Sequence, residues 1–314
     1  MRCQSFSQTL DTFTRRLGFR IEMILPADAP QAAVISAHGV TIRLENETEA
    51  ALIPASMIPR PDSLQTLLVS RHVPDRQWNE GRAGMRYRDL IPGRLGGYII
   101  ASQIRIPQGG KTPDYVHYHK VLFQMIYCKE GWARLVYEDQ GPPFLLQAGD
   151  CVLQPPEIRH RVLETSAGLE VIEIACPAIH ETHADHELEL PTPQILPERL
   201  FHNQRFVLHK AGEASWAPCL LDGFEARDTG IAAATDGMAA ARVIRSSLHK
   251  NETTIQHSGN FLFLYVLKGE LSLDNPEDSA QLHEGDNCVI PAGRRYLLQA
   301  SSGLEMLEVR LPVV

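Results

Sequence analysis

From about residue 97 onward the chain is written in short runs of Val, Ile, Leu, Phe and Tyr, separated by Gly, Pro and Asp. That is the signature of strands bounded by turns. Helical periodicity is confined to residues 5–17, and the runs at 19–25, 31–37 and 39–45 read as three more strands. Proline-bearing stretches at 53–63 (IPASMIPRPDS) and 191–200 (PTPQILPERL) mark joints. The pattern predicts a mainly β protein with a small α+β head over residues 1–56 and two larger β units over 57–190 and 191–314.

The two larger units repeat one another. GDCVLQPPEIRH at 149–160 matches GDNCVIPAGRRY at 285–296, an offset of 136. The turn glycines Gly131 and Gly269 lie 138 apart, and LEVIEIACP at 169 matches LEMLEVRLP at 304, an offset of 135. Chance likeness of short strands does not hold register across three motifs, so the chain carries a duplicated β unit.

Composition narrows the function. With 44% hydrophobic residues in 314, the chain can fill full cores. Thirty Lys and Arg against 38 Asp and Glu give a net charge of −8, the wrong sign for a phosphate backbone, so nucleic acid is not an expected partner. The apolar stretch 261–267 falls far short of the ~20 residues that span a bilayer, and the polar start has no signal-peptide core. A cytoplasmic protein without membrane attachment is expected. Cys3, Cys128, Cys151, Cys176, Cys219 and Cys288 form no CxxC pair, which fits reduced, mostly buried thiols.

The chemistry concentrates in the first repeat, in PDYVHYHKVLFQMIYCKEGW. His117 and His119, two apart, share one face of a strand and can converge on a single ion. Imidazole is the commonest transition-metal ligand. Gln124 stands five residues after His119, an odd interval, and joins the cluster only if the chain bends near residues 120–122. His160 would reach the same point from across a barrel. Alternation places Tyr115 on the face of the two histidines, and Ile126 and Cys128 on that of Gln124; on the preceding strand either Gln103 and Arg105 or Tyr98 and Ser102 point inward. Arg159 and Arg161 are expected in solvent. His180, His183 and His186, in IHETHADHELEL, read as a solvated polar linker. No phosphate-cradling Gly loop and no GxSxG elbow occurs.

Gly110, His117, His119, Gln124 and Gly131, followed by Gly149, Pro155 and His160, resemble the two motifs of the cupin superfamily. The likeness covers residues 95–180, with 225–314 as a degenerate second copy. It implies two tandem, jelly-roll-like β-barrels in a bicupin, with a divalent transition metal held by His117, His119, His160 and the residue at the acid position, here Gln124. Iron is favoured, with Mn, Ni, Cu or Zn as the other metals of the family. Tyr115 is a candidate catalytic donor beside the metal. The sequence departs from the pattern twice: Gln124 replaces an acid, and Glu157 stands where a glycine is usual. A neutral amide would leave the ion its full charge, which favours anionic or chelating substrates. In the second copy the corresponding residues are Ile255, His257, Leu262 and Tyr296, which cannot hold a transition ion. The head, RLGFRIEMILPADAPQAAVISAHGVTIRLE, resembles one module of the glyoxalase and bleomycin-resistance superfamily, with Glu45 near a ligand position, and is read chiefly as a packing or dimerisation element.

The implied function is that of a metal-dependent oxidoreductase, a dioxygenase acting on a small chelating diketone, phenolic or organic acid. The alternatives are a non-redox isomerase or lyase, and a small-molecule-binding sensor with a structural metal. A homodimer is compatible with the resemblance.

Overall fold

The computed structural model describes residues 1–47, 61, 63–64, 66–73, 78–80, 85–246 and 251–312. The joint expected at 53–63 falls, apart from residues 61 and 63, outside the described residues. Each repeat is a pair of facing sheets. In the first, one sheet runs through Phe144–Gln147, Trp132–Tyr137, His160–Thr165, His117–His119 and Thr182–Ala184. The other is built on Cys151–Leu153, Phe123–Glu130, Leu169–Cys176, Ile100–Ile106 and Arg86–Asp89. The second repeat pairs a seven-stranded sheet, centred on Ala240–Ser246, Glu305–Leu311 and Phe261–Lys268, with a four-stranded one.

The longest apolar runs are strands buried on both faces, which is why they lack polar alternation. Along Phe123–Glu130, the side chains of Phe123, Met125 and Tyr127 enter a core shared between the repeats, while Cys128 turns into the interior of its own repeat. Phe261, Phe263 and Tyr265 join the shared core from the other side, and Leu262, Leu264 and Val266 fill the second interior. Each such fully buried side chain contributes about 1.5–3 kcal/mol, so back-to-back packing of these sheets is a main source of stability.

The repeats also exchange edge strands. Leu68–Ser70 pairs with Asn287–Val289 of the second repeat, and Val207–His209 pairs with Cys151–Leu153 of the first. Gly131 and Gly269 occupy equivalent turns with positive φ. A Cβ at these positions would sit 3.2 Å from Leu169 Cα and 3.1 Å from Leu304 Cα, so glycine serves the close approach at both.

The head forms a helix at Phe6–Asp11, one wider turn at Thr12–Arg16, and strands Arg20–Leu25, Ala32–Ala37 and Val40–Asn46, with Arg2–Cys3 parallel to the last. It extends the first repeat's sheet: Arg20–Leu25 pairs with Thr182–Ala184, which pairs in turn with His117–His119. This corrects the reading of residues 180–186 as a solvated linker. Thr182–Ala184 is an internal strand, His180 is buried and His183 is half-buried, while His186 is exposed as expected. The charge-rich composition misleads because these polar groups find partners: His183 pairs with Glu181 and His186 Nε2 meets the Ile21 carbonyl. Glu45 is tied to Arg43 at 2.7 Å on the half-exposed face of the head.

Candidate metal centre

His117 and His160 are direct cross-strand partners, and His119 lies two residues along the same strand as His117. The three rings stand 4.3, 5.2 and 5.2 Å apart between centroids, with one nitrogen of each within 4.8 Å of the others. All three residues are buried, and among the described residues this is the one such cluster. The triad is a consequence of period-two geometry: the backbone pairing of residues 117 and 160 puts their side chains on one face.

Each imidazole is held from behind. His117 Nδ1 donates to the Tyr115 carbonyl at 2.9 Å, and His160 Nδ1 donates to the Ile158 carbonyl at 3.0 Å. His119 Nδ1 meets Thr182 Oγ1 at 2.9 Å. A carbonyl only accepts, so in His117 and His160 Nδ1 carries a proton and Nε2 is the nitrogen left to bind an ion, the arrangement that metal-binding histidines use. Three nitrogens each about 2.1 Å from a common ion lie about 3.0–3.6 Å apart, so nitrogens within 4.8 Å of one another need to draw in by at most about 2 Å. Three converging imidazoles, their partners at Nδ1 and their burial fit a divalent transition ion.

Gln124 faces this triad from the opposite sheet. The chain leaves the first sheet after His119 and enters the second at Phe123, so residues 120–122 reset the alternation that its odd spacing violates. Its amide belongs to a one-way chain of hydrogen bonds. Tyr137 Oη donates to Gln154 Oε1 at 2.7 Å, Gln154 Nε2 donates to Gln124 Oε1 at 3.3 Å, and Gln124 Nε2 donates to Glu173 Oε1 at 2.6 Å. Gln154 Nε2 also lies 3.3 Å from His160 Nε2. Burial, reinforced by the Glu173 carboxylate, holds Tyr137 well above the ordinary phenol range, so it is a donor at any physiological pH. The carboxylate at the end of the chain therefore fixes which way both amides point.

Glu173 corrects the expectation that the site lacks an acid. The negative charge is present one strand over, on Leu169–Cys176, and lines the same cavity as the histidines. Its sequence signal was one of two glutamates, with Glu170, in an otherwise apolar strand. Gln154 and His180 were also missed, because both belong to segments that approach only in the fold. His180 donates from Nδ1 to the Pro177 carbonyl at 3.0 Å and packs edge-on against His119 at 5.6 Å; burial pushes its basicity below the usual value, leaving it neutral.

Tyr115 is not brought into the cavity. The strand starts only at His117, so alternation does not extend back to residue 115. The Tyr115 ring instead lies edge-on to His117 at 6.0 Å and beside His186 at 5.7 Å. Of the two faces open for Ile100–Ile106, the one carrying Ser102 lines the cavity, while Gln103 and Arg105 reach Glu170. Arg159 is half-buried against Asp185 and the Tyr118 ring rather than free in solvent. The cavity holds about 120 Å³ and is walled by residues such as Met85, Ile104, Leu135 and Val171, with Ala27 and Asp28 of the head at its border.

A β sandwich with three inward histidines and a repeated partner that has Ile255 and Tyr296 at the places of His117 and His160 defines a bicupin-like fold. Residues 102–174 match the cupin domain family. Among solved structures, the chain is similar to salicylate 1,2-dioxygenase from Pseudaminobacter salicylatoxidans, with 17% identity over 82% of this chain and 88% of that one and a TM-score of 0.57. A variant of that enzyme in complex with gentisate aligns at 18% identity, covering 81% and 84% of the two chains, with a TM-score of 0.56. An oxalate decarboxylase variant from Bacillus subtilis aligns at 12% identity over 79% and 78%, with a TM-score of 0.56. No curated protein sequence matches the chain. At these identities the likeness concerns the fold.

Proposed function

We propose that the protein is a metal-dependent oxidoreductase, a dioxygenase that opens or cleaves a small chelating organic molecule in the cavity of the first repeat. The observation that carries this reading is the triad of buried imidazoles, each backed by a hydrogen bond at Nδ1. The fold it shares with a salicylate 1,2-dioxygenase supports the same direction. Iron is the favoured ion.

A bound ion would supply Lewis acidity and the redox capacity for O₂ chemistry. His117, His119 and His160 would hold it. Gln124, its amide oriented by Glu173, turns its carbonyl oxygen toward Gln154 and the histidine side, where it serves as a weak donor or as a hydrogen-bonding neighbour. Gln154 Nε2 is a fixed donor beside His160, suited to an oxygen of the bound substrate. The aliphatic wall keeps bulk water from the reacting atoms.

Elemental analysis of the purified protein, followed by O₂-uptake assays with diketones, catechols and thiols, tests this reading. Bound iron with substrate-linked O₂ consumption is the expected result. Zinc with no uptake on any of these compounds would contradict it and favour a sensor or a non-redox lyase.

A further inference from the structure

The cavity of the first repeat is completed by residues from outside the repeat. Most of its lining belongs to strands of the two facing sheets, and the exceptions are Met85, Gln154, His180, and Ala27 and Asp28 of the head. Ala27 and Asp28 lie on the turn between Arg20–Leu25 and Ala32–Ala37. They meet the cavity on the side of the triad: His180 packs on His119, and the charges of Asp28 and Arg94 both reach His180, in opposite senses.

A single clasp holds that turn against the first repeat. Arg94 Nη2 donates to Asp28 Oδ2 at 2.5 Å, and Arg94 Nε donates to Asp89 Oδ2 at 2.9 Å. Asp89 is itself fixed, because its Oδ1 accepts from the Ile91 amide at 3.0 Å. Among the described residues, no other hydrogen bond or ion pair joins residues 26–31 to the first repeat. The rest of the head is fastened independently, by the pairing of Met23 and Ile24 with His183 and Thr182 and by its own apolar clusters. Releasing Asp28 therefore frees the turn and leaves the module seated.

The backbone around Arg94 is strained. Arg94 and Leu95 adopt φ 50° and 48°, a left-handed conformation that L residues avoid and that persists only where the surroundings hold it. Leu95 is held by the shared core and Arg94 by the two carboxylates. The equivalent turn of the second repeat has no such arrangement. Asp228 pairs with Arg242 as Asp89 pairs with Ser102, and after Gly230, where Arg94 follows Gly93, comes Ile231, buried in the shared core. That repeat has a packed apolar interior and nothing to admit.

We propose that residues 26–31 are a removable wall of the cavity and that Arg94 is the positioning residue that keeps it shut, acting through Asp28. Whatever ion or small molecule the cavity takes passes between this turn and the first repeat. The head is then an access module for the site, which is more than the packing role its sequence implies. The clasp guards the cavity whatever it binds, so the metal reading is not a premise.

The test reads solvent access to the cavity in the intact chain through a cysteine placed on its wall, Ser102→Cys. Alkylation by iodoacetamide is followed by peptide mass mapping, which separates this site from the six native cysteines. In this background Arg94→Met and Asp28→Asn should each speed alkylation by about fivefold or more, since each weakens the part-buried ion pair that opposes local opening. Both changes break one contact, so the double variant should be no faster than the faster single one. Arg94→Lys, which keeps the charge, should fall between Arg94→Met and the unaltered clasp. Asp28→Asn keeps the shape of a half-buried turn residue and carries the test should Arg94→Met fail to fold. Unchanged rates, or a double variant that multiplies the effects of the singles, overturn the inference. Equal acceleration at Cys151 and Cys288 overturns it too, because it reports general loosening. No step needs a bound ion, so a purified protein free of metal would count against the metal reading and leave this test intact.

Discussion

The first and second repeats put different chemistry on one backbone. His117 pairs with His160 across neighbouring strands, and at the equivalent place Ile255 pairs with Tyr296. Gln124 lies opposite Ala175, and Leu262 lies opposite Arg310. The second interior closes as a packed apolar core containing Ile255, Leu262 and Tyr296. The fold therefore does not require the polar cluster. Burying three imidazoles, two amides and a carboxylate in the first repeat costs stability that apolar side chains would not, since each polar group demands a partner. A cluster that packing does not need, with its hydrogen bonds aligned in one direction, is explained by what it binds.

The comparison can be broken most severely by making the first repeat like the second. The double change His117→Ile with His160→Tyr should abolish substrate-linked O₂ uptake while circular dichroism reports an unchanged β fold. Retained turnover would place the chemistry elsewhere. The reverse operation is costly for stability. Leu262→Gln puts an amide into a fully buried site of the second repeat and should lower the unfolding free energy by about 2–4 kcal/mol in denaturant titrations.

Weakening the support of the site should have a graded effect. Glu173→Ala frees the Gln124 amide and should reduce metal affinity roughly 10–100-fold, as loss of a partner behind a binding group commonly does. Competition against a fluorescent chelator measures it.

Acid should act on both repeats. His180, His209 and His257 are each held below the ordinary imidazole value, in every case chiefly by burial. Near and below pH 6.5 the unfolded chain binds protons that these folded residues refuse, so stability rises with pH through this range and is lost on acidification. The slope stays well under ~1.4 kcal/mol per pH unit for each group, since His257 is half-buried. Thermal unfolding between pH 5 and 8 reads it, and a midpoint that rises as the pH falls would refute this account.

The smallest effect concerns a turn. Glu157 adopts φ 62° where its counterpart, 136 residues on, is Gly293 at φ 78°. Glu157→Gly relieves a left-handed conformation and should stabilise the fold by about 0.5–1 kcal/mol.

Much of this was legible in the sequence. Strand periodicity and the constant offset between GDCVLQPPEIRH and GDNCVIPAGRRY determine the architecture, and HxH spacing determines that two imidazoles share a face. Long-range placement was not legible. The inward position of Gln124 depends on a crossing between sheets at residues 120–122, and the strand exchange of 68–70 and 207–209 depends on packing between repeats. Glu173 was hidden because an acid in an apolar strand can face either way, and Tyr115 misled because alternation was extended past the end of a three-residue strand.

The most direct measurement is X-ray absorption spectroscopy combined with elemental analysis on the purified protein and on His119→Ala. One transition-metal ion per chain, with three imidazole nitrogens around it and the ion lost in His119→Ala, is the predicted result. Metal bound without imidazole, or content unchanged in His119→Ala, would contradict the central claim.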